Sequence, residues 1–277
     1  MAKELEYYQT VERSLIKKYR KELWNPFIRG VKRYRLVGEG DKIAVCISGG
    51  KDSMCMAKLM QQLQRISDVK FELVFLCMDP GYSPANRAKI EDNSKKLNIP
   101  LTVFESNIFD IADRQVKNPC YICAKMRRGA LYDRAKALGC NKIALGHHFN
   151  DVIETTVMGM FWGAQLQAML PKLHSTNFPG MELIRPMYCV HEDDIIAWQR
   201  YNGLEFLACA CKFTERTATR DKESESKRKY VKNMLKEMKK TSPDIEKCIF
   251  NAIHTVQLDT FPGWKDSGGE HSFLDNY

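Results

Sequence analysis

The sequence lacks any long apolar run. No stretch of its 277 residues approaches the roughly eighteen consecutive apolar side chains that a membrane-spanning helix requires. The first eight residues include Lys3, Glu4 and Glu6 and hold no apolar core of the kind found in an export signal. These absences argue against a membrane protein and predict a cytoplasmic protein with no membrane partner.

The chain also lacks internal repeats and low-complexity tracts. Its length suffices for one α/β core with additional helices, so we expect one catalytic domain with appendages. Ten cysteines in a chain without an export signal predict reduced thiols, and in that setting a Cys-x-x-Cys pair serves metal or redox chemistry more often than structure. We assign the isolated cysteines to core packing: Cys46, Cys55, Cys77, Cys140, Cys189 and Cys248.

Positive charge is abundant and is concentrated in two segments. The net charge is +9, and residues 1–40 and 215–240 each hold ten Lys or Arg against five Asp or Glu. Two interpretations stay open: solvated faces of two helices, or two basic walls that bind a polyanion beside a central site. Both segments also contain aromatic residues, which suit base stacking on RNA and helix docking equally well. They are Tyr7, Tyr8, Tyr19, Trp24, Tyr34 and Tyr230.

Apolar periodicity predicts strands that alternate with helices. The N-terminal residues 5–35 read as two helices with a break at Asn25-Pro26, and residues after 186 read as largely helical. The fold class is therefore α/β, with a parallel sheet covered by helices on both faces and with N-terminal and C-terminal helical extensions. The predicted strands are 42–47, 71–78, 101–104 and 142–145, and the predicted helices between them are 54–65, 86–97 and 124–138.

The same patterns divide the chain into four segments. We predict a basic N-terminal helical extension at 1–37, an α/β domain at 38–190, a helical C-terminal part at 191–262 and a flexible tail at 263–277. Ligands of parallel sheets bind beyond the carboxyl ends of the strands. The motifs that carry chemistry all fall at such ends.

A glycine-containing loop follows the first predicted strand and precedes a predicted helix. Two glycines let the backbone turn sharply with its N–H groups pointing inward, and the helix adds its positive N-terminal end, so the loop predicts a phosphate site. The Gly-x-x-x-x-Gly-Lys-Ser/Thr spacing of a Walker A loop is absent. The loop consists of Ser48, Gly49, Gly50, Lys51, Asp52 and Ser53.

Two groups of cysteines stand out. Cys120 and Cys123 form a Cys-x-x-Cys pair just before the predicted helix 124–138. On its own the pair fits a redox disulfide, half of a zinc site or ligation of an iron–sulfur cluster. Cys209 and Cys211 offer a third and a fourth ligand: four cysteines close a structural zinc site, whereas three around a cluster leave one iron open for chemistry. Spacing alone does not decide between these sites.

The loop resembles that of the PP-loop ATP pyrophosphatases, whose signature is Ser-Gly-Gly-x-Asp-Ser. The resemblance implies that a substrate oxygen attacks the α-phosphorus of ATP while pyrophosphate departs into the loop, and it makes 38–190 an ATP-binding domain. It also implies Mg²⁺ as a cofactor, with Asp52 and Asp151 as candidate contacts. Met78, at the end of the second predicted strand, would border the adenine, although a core position is the more ordinary interpretation of that residue alone.

Residues 120–171 resemble the bacterial tRNA 2-thiocytidine synthetases. Together with the phosphate loop, the likeness covers about residues 30–260. The segments that carry it are the cysteine pair, Arg127-Arg128-Gly129-x-Leu131-Tyr132, Gly146-His147-His148-x-x-Asp151, Met160-Phe161-x-Gly163 and Ile184-Arg185-Pro186-Met187.

This second resemblance implies an ATP-dependent sulfur transferase. The enzyme would adenylate the C2 oxygen of a tRNA base, cytidine 32 of the anticodon loop, and replace it with sulfur delivered through a [4Fe–4S] cluster. The cluster ligands would be Cys120, Cys123 and Cys209, with Cys211 as the alternative third ligand. The expected partners are tRNA and a sulfur donor, either a cysteine desulfurase or inorganic sulfide, and a homodimer is a further expectation.

The resemblance also assigns roles around the second nucleotide motif. Gly146, His147 and Asp151 would contact the nucleotide, and Arg127 and Asp151 would join the cysteines in catalysis. His147 and His148 can be interpreted as acid–base residues or as side chains that shape the adenine pocket and the helix start. Residues 163–168, where relatives usually carry lysines, read Gly-Ala-Gln-Leu-Gln-Ala and hold no positive charge.

Three rival functions remain beside this interpretation. The first is a zinc-bearing 2-thiouridine tRNA thiolase, although such relatives carry terminal Cys-x-x-Cys pairs that neither end of this chain shows. The second is a PP-loop adenylase or ligase acting on another substrate. The third is a non-catalytic nucleotide-sensing or RNA-binding module, against which the complete loop and Asp151 argue.

Overall fold

The structure is a computed structural model of the 277-residue chain and describes residues 5–106, 108, 119–207 and 222–277, with the backbone alone at 119–124, 222–226 and 276. Six strands form one sheet in the order β3-β2-β1-β4-β6-β5. Neighbouring strands pair in parallel, except that β5 and β6 are antiparallel. The strands are β1 (Lys42–Cys46), β2 (Glu72–Asp79), β3 (Leu101–Glu105), β4 (Lys142–Ala144), β5 (Lys172–His174) and β6 (Glu182–Ile184).

Helices flank the sheet on both faces, which confirms the predicted fold class. Ile43 and Val45 point into one apolar cluster with helix α3, and Ala44 and Cys46 point into a second cluster with helix α5, as the alternation of side chains along a strand requires. The helices are α1 (Tyr7–Ile16), α2 (Asn25–Arg33), α3 (Lys51–Ile66), α4 (Pro84–Lys96), α5 (Pro119–Ala137), α6 (Phe149–Gly163), α7 (Glu192–Tyr201), α8 (Lys222–Thr241) and α9 (Ile245–Ala252).

Strand β1 lies at the centre of the sheet. The strands that follow it are added first on one side of β1 and then on the other. Val45 is paired with Phe75 of β2 on one side and with Ala144 of β4 on the other. The connection after β1 leads to β2 and β3, whereas β4 returns to the opposite side of β1. Such a switch point leaves a crevice at the carboxyl ends of the two strands, and this is the usual ligand site of open α/β sheets.

The N-terminal helices are interrupted earlier than the sequence predicted. Helix α1 ends at Ile16, a π-helical turn spans Arg20–Trp24, and α2 begins at Asn25. The break predicted at Asn25-Pro26 is therefore wrong in position, because Pro26 lies in the first turn of α2, where a residue without an N–H group loses no helical hydrogen bond.

Helices α1 and α3 are joined by a buried ion pair. Lys58 Nζ lies 2.6 Å from Glu12 Oε1 and also donates to Leu97 O at 2.6 Å. Arg65 Nη1 approaches the other carboxylate oxygen of Glu12 at 2.8 Å. The lysine side chain is fully buried, so the N-terminal extension is fixed to the sheet domain by charge as well as by apolar packing.

The short strands were missed by sequence interpretation. Strands β5 and β6 contain three residues each, and no strand was predicted at either place. Residues 263–277, to which no regular structure was assigned, contain the antiparallel strands β7 (Gly263–Asp266) and β8 (Gly269–Ser272) and a short 3₁₀ helix. The tail therefore has more secondary structure than its composition indicated.

The chain forms two compact units. The first unit comprises Met1–Val152 and Leu170–Ser226, and the second comprises Ile153–Met169 and Lys227–Tyr277. The second unit contains most of α6 and α8, helix α9 and the β7–β8 pair, and it encloses an apolar cavity of about 760 Å³. The two units are defined by contacts between residues and do not test the predicted division into four segments, which stays a prediction.

In the described part of the chain, no helix combines the length and the apolar character that crossing a membrane requires.

Candidate active site

A cavity of about 440 Å³ opens in the first unit at the carboxyl ends of β1 and β4. Predicted site residues from four different segments meet there, which fits a ligand site at the switch point of the sheet. Its lining includes Ser48, Asp52, Ser53, Met78, Arg127, Gly146, His147 and Asp151, together with Cys46, Arg128 and Leu131.

The phosphate loop is held in shape by its own serines. Ser48 Oγ donates to Ser53 Oγ at 3.1 Å, and Ser53 Oγ in turn donates to Gly50 O at 3.0 Å. The Ser48 N–H group also points at Ser53 Oγ, at 3.2 Å. These bonds join the residue before the glycines to the first turn of α3, so the loop is preorganised around the N-terminus of that helix.

Gly49 is required by the geometry of the loop. Its φ is +83°, and a Cβ atom there would lie 2.5 Å from Ile90 Cγ1 of helix α4. Both the backbone conformation and the close packing exclude other side chains. Gly146 has a similar steric role, because a Cβ atom there would lie 3.2 Å from Ser53 N. The two nucleotide motifs therefore approach each other along bare backbone.

Lys51 lies between two carboxylates. Its Nζ is 3.1 Å from Asp52 Oδ2 and 3.0 Å from Glu192 Oε1, at the start of α7. Burial alone would lower the pKa of Lys51, but the two carboxylates outweigh it and raise the pKa above its ordinary value. The lysine is therefore protonated at neutral pH, as a phosphate ligand must be. Sequence interpretation missed Glu192, which no motif or spacing connects with the loop.

The other carboxylate oxygen of Asp52 is an unsatisfied acceptor. Asp52 Oδ1 is buried and has no hydrogen-bond partner within the described ranges. His148 Nε2 lies 3.8 Å from it, beyond hydrogen-bond distance. A buried acceptor without a donor is costly, so this oxygen is positioned for a cation or for a donor brought by a ligand.

His148 and Asp151 cap the start of α6. The His148 N–H group donates to Asp151 Oδ2 at 3.0 Å, and the Asp151 N–H group donates to His148 Nδ1 at 3.4 Å. This reciprocal pattern is that of a capping box. It favours the interpretation of His148 as a residue that shapes the helix start over an acid–base role.

Arg185 fixes the ring of His147. Its Nε donates to His147 Nδ1 at 3.3 Å, and its Nη1 donates to the carbonyl oxygen of Leu170. Because Nδ1 accepts a hydrogen bond here, the neutral His147 ring carries its own proton on Nε2. Burial, followed by repulsion from Arg128, lowers the pKa of Arg185 to about 10. Arg185 belongs to a motif quoted above, but it was not among the predicted site residues.

Met78 and Arg127 both line the cavity, and their predicted roles at the nucleotide and in catalysis stay predictions. Met78 is 2% exposed at the end of β2, next to Asp79, whose carboxylate accepts from the N–H groups of Gly81 and Tyr82 at 2.8 and 2.7 Å. Arg127 lies in α5, two turns after the helix begins at Pro119. Met78, which was predicted to border the adenine, and Arg127, which follows the cysteine pair, thus line the same cavity.

The cysteine site lies largely outside the described residues. Cys120 and Cys123 belong to the first turns of α5, where the backbone alone is described, and Cys209 and Cys211 lie outside the described ranges altogether. Of the six cysteines assigned to packing, five are buried, and burial raises the pKa of Cys46 to about 12. Cys248 is exposed, so its assignment to the core is wrong.

Comparison with known proteins places the chain in a family. The model of the PP-loop domain matches residues 21–238. The tRNA-cytidine(32) 2-sulfurtransferase of Geobacter metallireducens is 34% identical over 245 residues, which cover 87% of this chain and 91% of that protein. The protein of the same name from Alcanivorax borkumensis is 32% identical over 250 residues, covering 89% of this chain and 85% of its own length.

A solved structure shares the fold. The U34-tRNA thiolase of Methanococcus maripaludis, solved with its [4Fe-4S] cluster, is 18% identical with a TM-score of 0.66, and the match covers 88% of this chain and 80% of that chain. The sequence matches agree with the order of the strands in the sheet. They also agree with the two glycine-containing motifs, at Ser48–Ser53 and Gly146–Asp151. The chain belongs to the PP-loop domain family, within the group whose curated members are the tRNA-cytidine(32) 2-sulfurtransferases.

Proposed function

We propose that this protein is an ATP-dependent tRNA sulfurtransferase that converts cytidine 32 of the anticodon loop to its 2-thio form. The observation that carries the proposal is the cavity in which the phosphate loop, the Gly146–Asp151 motif and the helix of Cys120 and Cys123 come together. The substrate is supported by the names of the relatives, whose sequence matches cover most of both chains.

The cavity suits the activating half of the reaction. The base C2 oxygen attacks the α-phosphorus of ATP, the bond to the bridging oxygen breaks, and pyrophosphate leaves into the loop. Lys51, the backbone N–H groups after Gly49 and the N-terminus of α3 would bind the departing phosphates. His147, held with its proton on Nε2, would donate to the nucleotide rather than accept a proton.

The unsatisfied oxygen of Asp52 is the observation that fits Mg²⁺. Magnesium is bound in nucleotide sites by one or two carboxylates together with phosphate oxygens. Asp52 Oδ1 is a buried carboxylate oxygen beside the phosphate loop with no hydrogen-bond donor in the described part of the chain. Asp52 would therefore hold the ion, which would neutralise charge on the pyrophosphate.

The cysteines fit an iron–sulfur cluster by their chemistry and by their place in the chain. Arg127, which lines the cavity, follows Cys123 by one helical turn. Leu207 donates its N–H group to Gly49 O at 3.2 Å, and Cys209 follows Leu207 by two residues in the sequence. Cys120, Cys123 and Cys209 would hold the cluster, which supplies an iron without a protein ligand where sulfur can bind.

The sulfur-transfer half then displaces AMP. A hydrosulfide attacks C2 of the adenylated base, the C2–O bond breaks, AMP leaves with the oxygen, and the proton of the hydrosulfide passes to water. Arg127 and Arg128 border the cavity and would stabilise the negative charge of the leaving phosphate. A cysteine desulfurase or inorganic sulfide as sulfur donor, a cytoplasmic location and a homodimeric state belong to the same proposal.

Anaerobic purification tests the cluster. We expect iron and acid-labile sulfide in near-equal amounts and a broad visible absorbance, lost in Cys120→Ala, Cys123→Ala and Cys209→Ala. Cys248→Ala is the matched control, because this thiol is exposed and lies outside the proposed ligand set. Stoichiometric zinc without sulfide would identify the zinc-bearing alternative instead.

Nucleoside analysis tests the substrate. Incubation of the anaerobic protein with unmodified tRNA, ATP, Mg²⁺ and a sulfide source should give 2-thiocytidine, AMP and pyrophosphate in equal amounts. A tRNA in which position 32 is uridine should give no 2-thiocytidine. Thiolation of another position, or release of AMP without any thionucleoside, would contradict the assignment.

A further inference from the structure

Three aromatic rings are exposed together in the second unit. Phe161 and Trp162, in the last turn of α6, are 52% and 45% exposed, and Tyr230 of α8 is 58% exposed. The ring centroids of Phe161 and Trp162 are 5.7 Å apart and those of Trp162 and Tyr230 are 5.9 Å apart, both pairs in edge-on geometry. We call these three residues the aromatic cluster. Three half-exposed large rings in contact form a surface patch that needs an explanation.

Buried apolar side chains lie close to the aromatic cluster in the sequence. Val157 on α6 and Val231 and Leu235 on α8 are 5%, 0% and 3% exposed, each within five residues of an exposed ring, and Val157 and Leu235 also line the apolar cavity of this unit. Arg228 Nη2 also donates to Thr155 Oγ1 at 3.5 Å, which joins the two helices a second time. The contact between Trp162 and Tyr230 and the bond between Arg228 and Thr155 hold the two helices together beneath the rings.

Positive charge is dense on α8, the helix that carries Tyr230. Residues 227–240 of α8 contain seven Lys or Arg and one Glu. Arg228, Lys229 and Lys232, within two residues of Tyr230 in the sequence, all have exposed side chains. A polyanion is the complementary partner of such a helix, and a polyanion that also offers flat apolar faces satisfies the rings as well.

We propose that the aromatic cluster and the basic face of α8 bind single-stranded RNA, with unpaired bases stacked on Trp162 and Tyr230 and phosphates on Arg228, Lys229 and Lys232. A duplex offers the phosphates but keeps its bases stacked inside, so only an open loop satisfies both halves of the surface. The inference rests on the proposed function, because it identifies this surface as the part of the protein that holds the anticodon loop.

The composition of the neighbouring segment agrees with this assignment. Residues 163–168, directly after the aromatic cluster, hold no positive charge. Affinity for RNA in this region must therefore come from the rings and from α8. Stacking on aromatic side chains tolerates any base, whereas lysines alone would bind loops and duplexes alike.

Fluorescence anisotropy with two labelled RNAs tests the surface. One is an anticodon stem–loop with an unpaired loop, and the other is a fully paired duplex of equal length. In Trp162→Leu and Tyr230→Leu, affinity for the stem–loop should fall about tenfold each while affinity for the duplex changes less than about twofold. Trp162→Tyr, which keeps a ring, should stay within about threefold of the wild type. Tyr277→Leu, at a fully exposed terminal tyrosine, is the matched control and should leave both affinities unchanged.

Two results would overturn the inference. Equal losses of affinity for the stem–loop and for the duplex would show that the rings do not stack on unpaired bases. Unchanged RNA affinity together with a shift in sedimentation from dimer to monomer in Trp162→Leu would show that the patch joins two copies of this chain. Thermal unfolding of each variant verifies that the loss is not one of folding.

Failure of the proposed function would give a different result. If the wild-type protein forms no thionucleoside yet loses stem–loop affinity in Trp162→Leu, the surface stands and the reaction is wrong. If thiolation proceeds and both leucine variants bind the stem–loop as the wild type does, the reaction stands and the surface is wrong.

Discussion

Two turns of helix α3 use the same residue type in opposite ways. Lys51, in the first turn, keeps 23% of its side chain exposed between Asp52 and Glu192. Lys58, two turns later, is fully buried against Glu12 and the Leu97 carbonyl. Carboxylates raise the pKa of Lys51 despite its burial, whereas burial lowers the pKa of Lys58 despite its partner. Under the proposed function the first cation would exchange a carboxylate for a phosphate, whereas the second joins α1 to α3.

The largest expected effect is on stability and comes from the buried lysine. Lys58→Met keeps the volume but leaves the Leu97 carbonyl and part of the Glu12 charge without a donor, so we expect the free energy of unfolding to fall by about 3 kcal/mol. Urea denaturation measures it. The double variant Glu12→Leu with Lys58→Met should recover at least half of the loss, and no recovery would show that the charge pair is not its cause.

Lys51→Met should reverse this pattern. We expect kcat/KM for thiolation to fall about 100-fold, since an electrostatic contact to the departing phosphates is removed. The free energy of unfolding should change by less than about 1 kcal/mol, because the side chain is partly exposed. A loss of stability equal to that of Lys58→Met would show that Lys51 also stabilises the fold, and would contradict the different roles assigned to the two lysines.

Glu192→Gln tests what orients Lys51. We expect kcat to fall about tenfold with little change in the KM for ATP, because the lysine keeps its charge but loses one of its two anchors. Asp193→Asn, at the next and exposed residue of α7, is the matched control. A raised KM with unchanged kcat would mean that Glu192 acts on ATP binding and not on the position of Lys51.

The smallest effect is the pH dependence of the buried pair. Burial raises the pKa of Glu12, but hydrogen bonds from Arg65 and Lys58 outweigh it and hold the pKa below its ordinary 4.5. The stabilisation is therefore complete above about pH 4.5 and is lost as the pH falls through the lowered pKa. Urea midpoints of the wild type and of Glu12→Gln should converge towards acid pH. Parallel curves would contradict this assignment.

Much of the sheet domain was predictable because its signals are local. Four strands of three to eight residues were predicted within two residues of their ends, since buried parallel strands read as continuous apolar runs. The Ser48–Ser53 loop was predictable for a related reason, because a phosphate loop requires glycine at fixed places. Gly146 was assigned only through the family resemblance, and its close approach to Ser53 appears in the structure alone.

The missing parts of the site depend on contacts between distant residues. Glu192 forms an ion pair with Lys51, which is about 140 positions away in the sequence. Ile90, in helix α4, leaves no room for a side chain at Gly49. No spacing rule encodes such pairs, and only the packing of α4 and α7 against the loop creates them. The ligand role of Cys209 stays a prediction, since that residue lies outside the described ranges.

Strand β5 protects the sheet against self-association. It is the outermost strand of its side, contains only three residues, and carries Lys172 and His174 around a single leucine. A short charged edge offers a second molecule too few unpaired backbone groups to extend the sheet by intermolecular pairing. Lengthening β5 with apolar residues should therefore turn the purified protein from dispersed to aggregation-prone without altering its nucleotide pocket.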